Sequence, residues 1–173
     1  DLTVESYDTW DDLLVYMDGS AAVIGEMMLP ILEPTDYDTA LPHARDLGNA
    51  FQLTNFLRDI DEDLDRGRQY IPREDSERFG VDLTQRSVTP EFVALMQFEI
   101  DRCRELYRSA QIGIDMLPDR SAKCVGAAHA LYGRILDKIE AQDYDVFTSR
   151  ASVSTRMFLT IFFFVSTITA RSL

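Results

Sequence analysis

The sequence predicts an all-α fold, and three observations carry that prediction. No run of alternating β-branched residues bounded by turn residues occurs. Apolar residues recur instead at three- and four-residue spacing through most of the chain. Helix-start signals stand where those periods begin. The 173 residues suit one domain, and 46% hydrophobic with 27% charged residues is the profile of a folded globular chain.

Thr9 followed by Asp12 forms a capping box that opens a helix over 9–30, with Leu13, Met17, Ile24 and Met28 on one stripe. Pro34 and Pro42 punctuate the loop after it, and a second helix follows over 42–64, stopped by Gly67 and Pro72. Residues 73–90 form a polar connector with short helical content. Thr89 caps a third helix over 90–116, with Pro90 at its first position and Phe92, Leu95, Met96, Ile100, Cys103, Leu106 and Tyr107 facing inward. Leu117-Pro118 ends it. A fourth helix covers 119–141, small on one side (Ala122, Gly126, Ala127, Ala130), which predicts close approach by a neighbour. A last helix is expected over 149–170.

Charge excludes some functions. The net charge is −13, so a basic nucleic-acid-binding surface is ruled out as the main theme. Residues 1–82 hold 20 acidic and 6 basic residues, whereas 83–173 hold 10 and 11. Cys103 and Cys124 are too few for a disulfide framework or a CxxC zinc site, which implies reduced thiols and an intracellular setting. The chain starts at Asp1 with neither an initiator Met nor a signal peptide, the mark of a fragment or a processed product. The stretch 157–170 is apolar and too short to span a bilayer; a buried terminal helix and an interfacial membrane contact are the two readings.

The richest stretch is Gln52-Leu-Thr-Asn55-Phe-Leu-Arg58-Asp59-Ile-Asp61-Glu62-Asp63-Leu-Asp65-Arg66-Gly67-Arg68-Gln-Tyr70-Ile-Pro72. At about 100° per residue, Gln52, Asn55, Asp59 and Asp63 fall within about 80° of one helix face. Like charges at i, i+4 weaken a helix, so an offsetting partner is expected. A hard divalent cation such as Mg²⁺ takes carboxylate oxygens and keeps waters and phosphate oxygens as its other ligands. Taken alone, Asp59 and Asp63 serve a solvated acidic face as readily as a metal. Asp61, Glu62 and Asp65 point elsewhere and belong to solvent; Arg58, also off the stripe, suits a structural ion pair.

The stretch QLTNFLRDIDEDLDRGRQYIP resembles the second aspartate-rich motif of the squalene and phytoene synthase family. Upstream, Tyr16 to Ile31 resembles the family's other signature, Y-C-x-x-V-A-G-x-V-G, and Tyr16 precedes Gln52 at the family's distance. The wording is closest to phytoene synthases, and the resemblance covers about residues 1–156. It implies an isoprenoid-synthase-type helical fold around a central cavity, in which two prenyl diphosphates are joined head to head. By resemblance Asp59 and Asp63, with Asn55, are the ligands of Mg²⁺ or Mn²⁺. Tyr16 matches the family's active-site tyrosine. By the same resemblance Gln52 and Asn55 would line the diphosphate and intermediate region, Arg68 and Tyr70 would reach phosphate or fix the helix end, and Ser20, Ala21 and Gly25 would let a polyene lie against the helix. Tyr132 and Arg150 match a later tyrosine and a basic phosphate contact. His43 and His129 are structural.

The sequence departs from the family at Met17-Asp18-Gly19-Ser20, where a cysteine-aromatic-x-valine run is usual. No first DxxxD motif precedes Tyr16, since Asp8, Asp11 and Asp12 lie too near it. The expectation is therefore an incomplete bundle without the N-terminal helices: one partial domain over 1–173 with an atypical apolar tail at 149–173, inactive alone. The implied reaction converts geranylgeranyl diphosphate to phytoene. The alternatives are a squalene or dehydrosqualene synthase using farnesyl diphosphate, or a noncatalytic helical assembly protein. Prenyl diphosphates are the implied partners, nucleic acid is not, and the implied setting is cytoplasmic with a peripheral membrane contact.

Overall fold

Thr9 begins the first helix as expected. Its Oγ1 accepts from the Asp12 backbone N–H, and the Asp12 carboxylate accepts from the Thr9 N–H at 3.1 Å. The computed structural model describes residues 4–152. In chain order the α-helices are α1 (Trp10–Met17), α2 (Val23–Leu32), α3 (Tyr37–Arg58), α4 (Ile60–Asp65), α5 (Arg73–Phe79), α6 (Pro90–Asp115) and α7 (Asp119–Ala141). A π-helical turn, Asp18–Ala22, joins α1 to α2, so Trp10–Leu32 runs as one rod. The turn falls on the departure at Asp18-Gly19-Ser20. Arg45 of α3 binds Asp18 and, at 2.5 Å, Glu26, which holds the turn against α3.

The second helix starts earlier than expected. Asp36 caps it, accepting from the Thr39 N–H at 3.1 Å, and α3 begins at Tyr37 with Pro42 inside it rather than in a loop. It also ends earlier, because Asp59 leaves helical geometry (φ −106°, ψ 19°) and separates α3 from α4. The register survives this break: the Asp59 N–H donates to Asn55 O and the Asp63 N–H to Asp59 O, each at 2.9 Å. Gly67, at φ 72°, closes α4, with the Arg68 N–H returning to Asp63 O at 2.8 Å.

Helix α3 is the axis of the molecule and packs on α6, α2 and α7. Leu53 and Leu57 of α3, Leu95, Met96 and Ile100 of α6, and Leu136 and Ile139 of α7 form the centre of the core. Thr89 caps α6 as expected, accepting from the Phe92 N–H at 3.2 Å. Close helix approach occurs at other glycines than the expected ones. A Cβ on Gly25 would lie 2.0 Å from Ala44 O, and one on Gly48 2.4 Å from Ala21 O, so α2 and α3 touch backbone to backbone. On α7 a Cβ at Gly126 would meet nothing nearer than 3.9 Å, and Ala130 is exposed.

Residues 5–8 run beside 69–74. The Gln69 N–H donates to Glu5 O at 2.7 Å and the Arg73 N–H to Tyr7 O at 3.0 Å. Among the described residues there is an isolated bridge there, Ser6 with Gln69, and no strand. The expected helix over 149–170 does not start at 149, since residues 149–152 are non-helical; the rest of that expectation lies outside the described residues. Among the described residues one helix, Trp10–Leu32, is long and apolar enough by length and composition alone to cross a membrane. Leu13, Met17, Ala21, Ala22 and Leu29 of that rod are buried, while Val15, Ile24, Met27 and Ile31 are exposed.

Candidate active site

Four helices line an apolar cavity of about 420 Å³ that opens to solvent on one side, where Ile24 and Met28 are exposed. Ile24, Met28 and Leu29 come from α2, Leu47 and Phe51 from α3, Ile114 from α6 and Val125 from α7. Ser20, Ala21, Gly25 and Gln52 also reach its wall. Gly25 does more than leave room for a ligand, because its missing side chain admits the α3 backbone at Ala44, and Gly48 of α3 in turn admits the backbone of Ala21. Tyr132 stands one layer behind, its ring 4.5 Å from that of Phe51.

Gln52 is the cavity's polar end. The acidic stripe continues from it along α3 and α4, with Asp59 about 10 Å further along the axis. Asp59 and Asp63 do not face bulk water: their side chains are 15% and 14% exposed. Their charge states differ. Burial alone would raise the Asp59 carboxyl, but hydrogen bonds from Arg58 and Arg150 outweigh it and hold it at about 2. Burial raises the Asp63 carboxyl, and the neighbouring Asp59 charge adds to that; exposed Arg66, at 3.4 Å, offsets little. Asp63 is thus a half-buried carboxylate short of positive charge.

Arg58 makes the ion pair expected of it, 2.5 Å from Asp59. Arg150 is found on Asp59 too, at 2.7 Å, and not standing free for an anion. Glu62 joins the site through Arg150 at 3.4 Å, and Asp61 and Asp65 bind Arg86 at 2.8 and 2.5 Å. These three acids are therefore paired, contrary to the expectation of a purely solvated face.

Beside Asp63 stands an aromatic cluster. The Phe56 and Tyr70 rings stack at 3.9 Å, and Tyr16 lies 5.8 Å from Tyr70 and 5.2 Å from Tyr7. Burial, then Tyr70, raises the Tyr16 phenol. Arg68 donates to the Tyr70 hydroxyl at 3.2 Å and makes no ion pair among the described residues. Tyr7 was not singled out in the sequence; it joins through the pairing of 5–8 with 69–74, which no local pattern signals. The histidines, expected to be structural, are each hydrogen-bonded within the fold: His43 Nδ1 lies 2.8 Å from Ser109 Oγ, and His129 Nε2 lies 3.0 Å from Tyr107 O, while His43 also lines the cavity. Among the described residues no group of three or more His, Cys, Asp or Glu side chains converges as a ready metal site.

The family model described as squalene/phytoene synthase matches residues 1–157. A phytoene synthase from Arthrospira platensis is 38% identical over 170 residues, covering 90% of this chain and 55% of that protein. A 15-cis-phytoene synthase from Synechococcus elongatus is 37% identical over 169 residues, with the same coverage of each. The chain thus spans about half the length of the curated relatives it matches. Among solved structures, a dehydrosqualene synthase in complex with ligand superposes with a TM-score of 0.85 at 27% identity, covering 97% of this chain and 60% of that one. A squalene synthase from Alicyclobacillus acidocaldarius gives 0.78 at 32% identity, covering 84% and 56%. The chain belongs to the squalene/phytoene synthase family and has its all-α isoprenoid-synthase-type fold.

Proposed function

We propose that this chain forms the second carboxylate face and part of the tail cavity of a prenyl transferase that joins two geranylgeranyl diphosphates head to head into phytoene. The observation that carries this reading is Asp63, half-buried and short of positive charge, on the same helix surface as Gln52 at the end of an apolar cavity. An anionic head and a hydrocarbon tail need that pairing of environments.

A divalent cation fits the donors: two carboxylates one turn apart, with the neutral oxygens of Asn55 and Gln52 on their stripe. Bound at Asp59 and Asp63, it would supply charge neutralisation to the departing diphosphate. The chain's own residues do the rest. Arg68 and Tyr70 receive diphosphate oxygens. The apolar wall excludes water from the allylic cation formed when the C–O bond breaks. Tyr16 offers a π-face to that cation, among rings that favour positive charge. The second substrate's double bond attacks, a proton leaves, and a cyclopropylcarbinyl diphosphate results. A second ionisation, rearrangement and proton loss give phytoene with no reductant. Ser20, Ala21 and Gly25 border the tail, and Tyr132 supports Phe51. The setting this reading implies is cytoplasmic, with a peripheral membrane contact.

Calorimetric binding of geranylgeranyl diphosphate with and without Mg²⁺ tests this. Binding is expected to require Mg²⁺ and to weaken about tenfold or more in Asp63→Ala. Turnover is not expected of the 173-residue chain, which carries one acidic stripe. Mg²⁺-independent binding, unchanged in Asp63→Ala, overturns the reading in favour of a noncatalytic helical protein. The solved neighbours keep a second reading open, because squalene and dehydrosqualene synthases share this fold; tighter binding of farnesyl diphosphate would select it.

A further inference from the structure

Asp59 holds two guanidinium groups at once. Arg58 donates from Nε to Oδ1 at 2.8 Å and from Nη2 to Oδ2 at 2.5 Å. Arg150, 91 residues on in the chain, donates from Nε to Oδ1 at 2.7 Å and from Nη2 to Oδ2 at 3.0 Å. Its Nε also lies 3.4 Å from Glu62 Oε1. The two arginines differ in how firmly they are held. Arg58 is 15% exposed and sits at the last position of α3, next to the carboxylate it binds. Arg150 is 50% exposed and stands on non-helical backbone after α7.

Two guanidiniums against Asp59 and Glu62 leave this corner neutral. A divalent cation entering it would meet two like-charged groups at contact distance. Arg58 is fixed by its place in the helix. Arg150 is free to leave, and a diphosphate gives it somewhere to go, since the planar fork of arginine matches phosphate oxygens as well as carboxylate. A permanent strut would need neither the exposure nor the irregular backbone of Arg150.

We propose that Arg150 is an exchangeable counter-ion of Asp59, which it occupies until a divalent cation takes the carboxylate, whereupon its guanidinium passes to the diphosphate of the substrate. The inference rests on reading Asp59 and Asp63 as the cation pair. It makes Arg150 a positioning residue that keeps Asp59 ordered beforehand and couples cation to anion binding. Cation and substrate should therefore each favour the other, with the segment around Arg150 moving between them.

Two measurements on the 173-residue chain test this: Mn²⁺ binding followed by electron paramagnetic resonance, and inorganic diphosphate binding followed by calorimetry at fixed Mn²⁺. Arg150→Ala is expected to bind Mn²⁺ alone about fivefold more tightly than wild type, and diphosphate about fivefold more weakly. Opposite signs are the signature of exchange. A strut would weaken both, and a plain anion ligand would leave Mn²⁺ affinity alone; either result overturns the proposal. Arg150→Lys keeps the charge without the two-point grip and is expected to move Mn²⁺ affinity in the same direction by less, which guards against misfolding of the alanine variant. Asp63→Ala separates the two levels of argument. If it binds Mn²⁺ as wild type does, or if wild type binds none, the cation-pair reading fails and takes this inference with it. If Asp63→Ala loses Mn²⁺ while Arg150→Ala changes nothing, the pair stands and the exchange alone is refuted.

Discussion

Glu99 is fully buried, and a single guanidinium serves it and another buried acid. Arg102 Nη1 donates to both Glu99 oxygens at 2.9 Å and to Asp75 Oδ2 at 2.8 Å, while the Arg102 guanidinium lies 4.3 Å from the ring centre of Trp10. One positive charge cannot satisfy two buried carboxylates, so one of them keeps its proton. Burial raises Glu99 to about 8, against the pull of Arg102 and with the help of Asp75. The sign follows. Between its ordinary range near 4.5 and about 8, Glu99 holds a proton in the folded chain and loses it in the unfolded one. Its contribution is therefore complete at pH 4 and is lost as pH rises towards 8. Asp63, also raised, acts in the same direction. Asp59, held near 2, loses its contribution only in strong acid. Thermal melts from pH 5 to 8.5 should show the melting temperature falling, with a loss on the order of a few kcal/mol. Glu99→Gln should flatten that slope. The chain's one tryptophan, Trp10, lies against Arg102 and gives a local fluorescence reading of the same event. A profile equally steep in Glu99→Gln would remove Glu99 as its cause.

Helix contacts separate glycines that look alike in sequence. Gly25 meets the Ala44 carbonyl, and a backbone oxygen in a helix cannot step aside, so Gly25→Ala should force α2 off α3 and open the cavity. A loss of about 3 kcal/mol or more is expected from such overpacking, measured as a lower urea midpoint. Gly126→Ala on α7 meets only ordinary contact at 3.9 Å and should gain up to about 1 kcal/mol of helix propensity. Equal effects of the two substitutions would contradict the packing. The contrast shows where sequence is legible. Caps are local chemistry, so Thr9 and Thr89 mark the starts of α1 and α6 directly. Pro42 misleads because a stronger local signal, the Asp36 cap, carries α3 past it. Which glycines meet a partner depends on residues far away in the chain, and spacing does not encode them. The site divides in the same way. Gln52, Asn55, Asp59 and Asp63 are one helix period and legible as a stripe, whereas the Arg150 clamp and Tyr7 come from distant segments.

Across the whole molecule, the uneven charge becomes a set of crossings. The acid-rich first half is bound by arginines of the second: Arg86 to Asp61 and Asp65, Arg102 to Asp75, and Arg150 to Asp59 and Glu62. These pairs neutralise only part of the acid excess, and the chain keeps a net charge of −13. Salt acts on the two terms differently. Four of the five crossing pairs lie at 2.5–2.8 Å, the fifth, Arg150 to Glu62, at 3.4 Å. Most of them are thus shorter than the screening length of about 3 Å that holds even at 1 M salt. The repulsion among unpaired acids acts over longer distances and is cut once the screening length falls from about 30 Å at 0.01 M. Self-repulsion of a highly charged chain opposes its compact state. The melting temperature at neutral pH should therefore rise by several degrees between 0.01 and 1 M NaCl. A fall over that range would mean that the crossing pairs, not the unpaired acids, dominate the electrostatics of the fold. Arg86→Ala sharpens the test. It frees Asp61 and Asp65 at an exposed crossing, so the variant should lose more stability at low salt than at high.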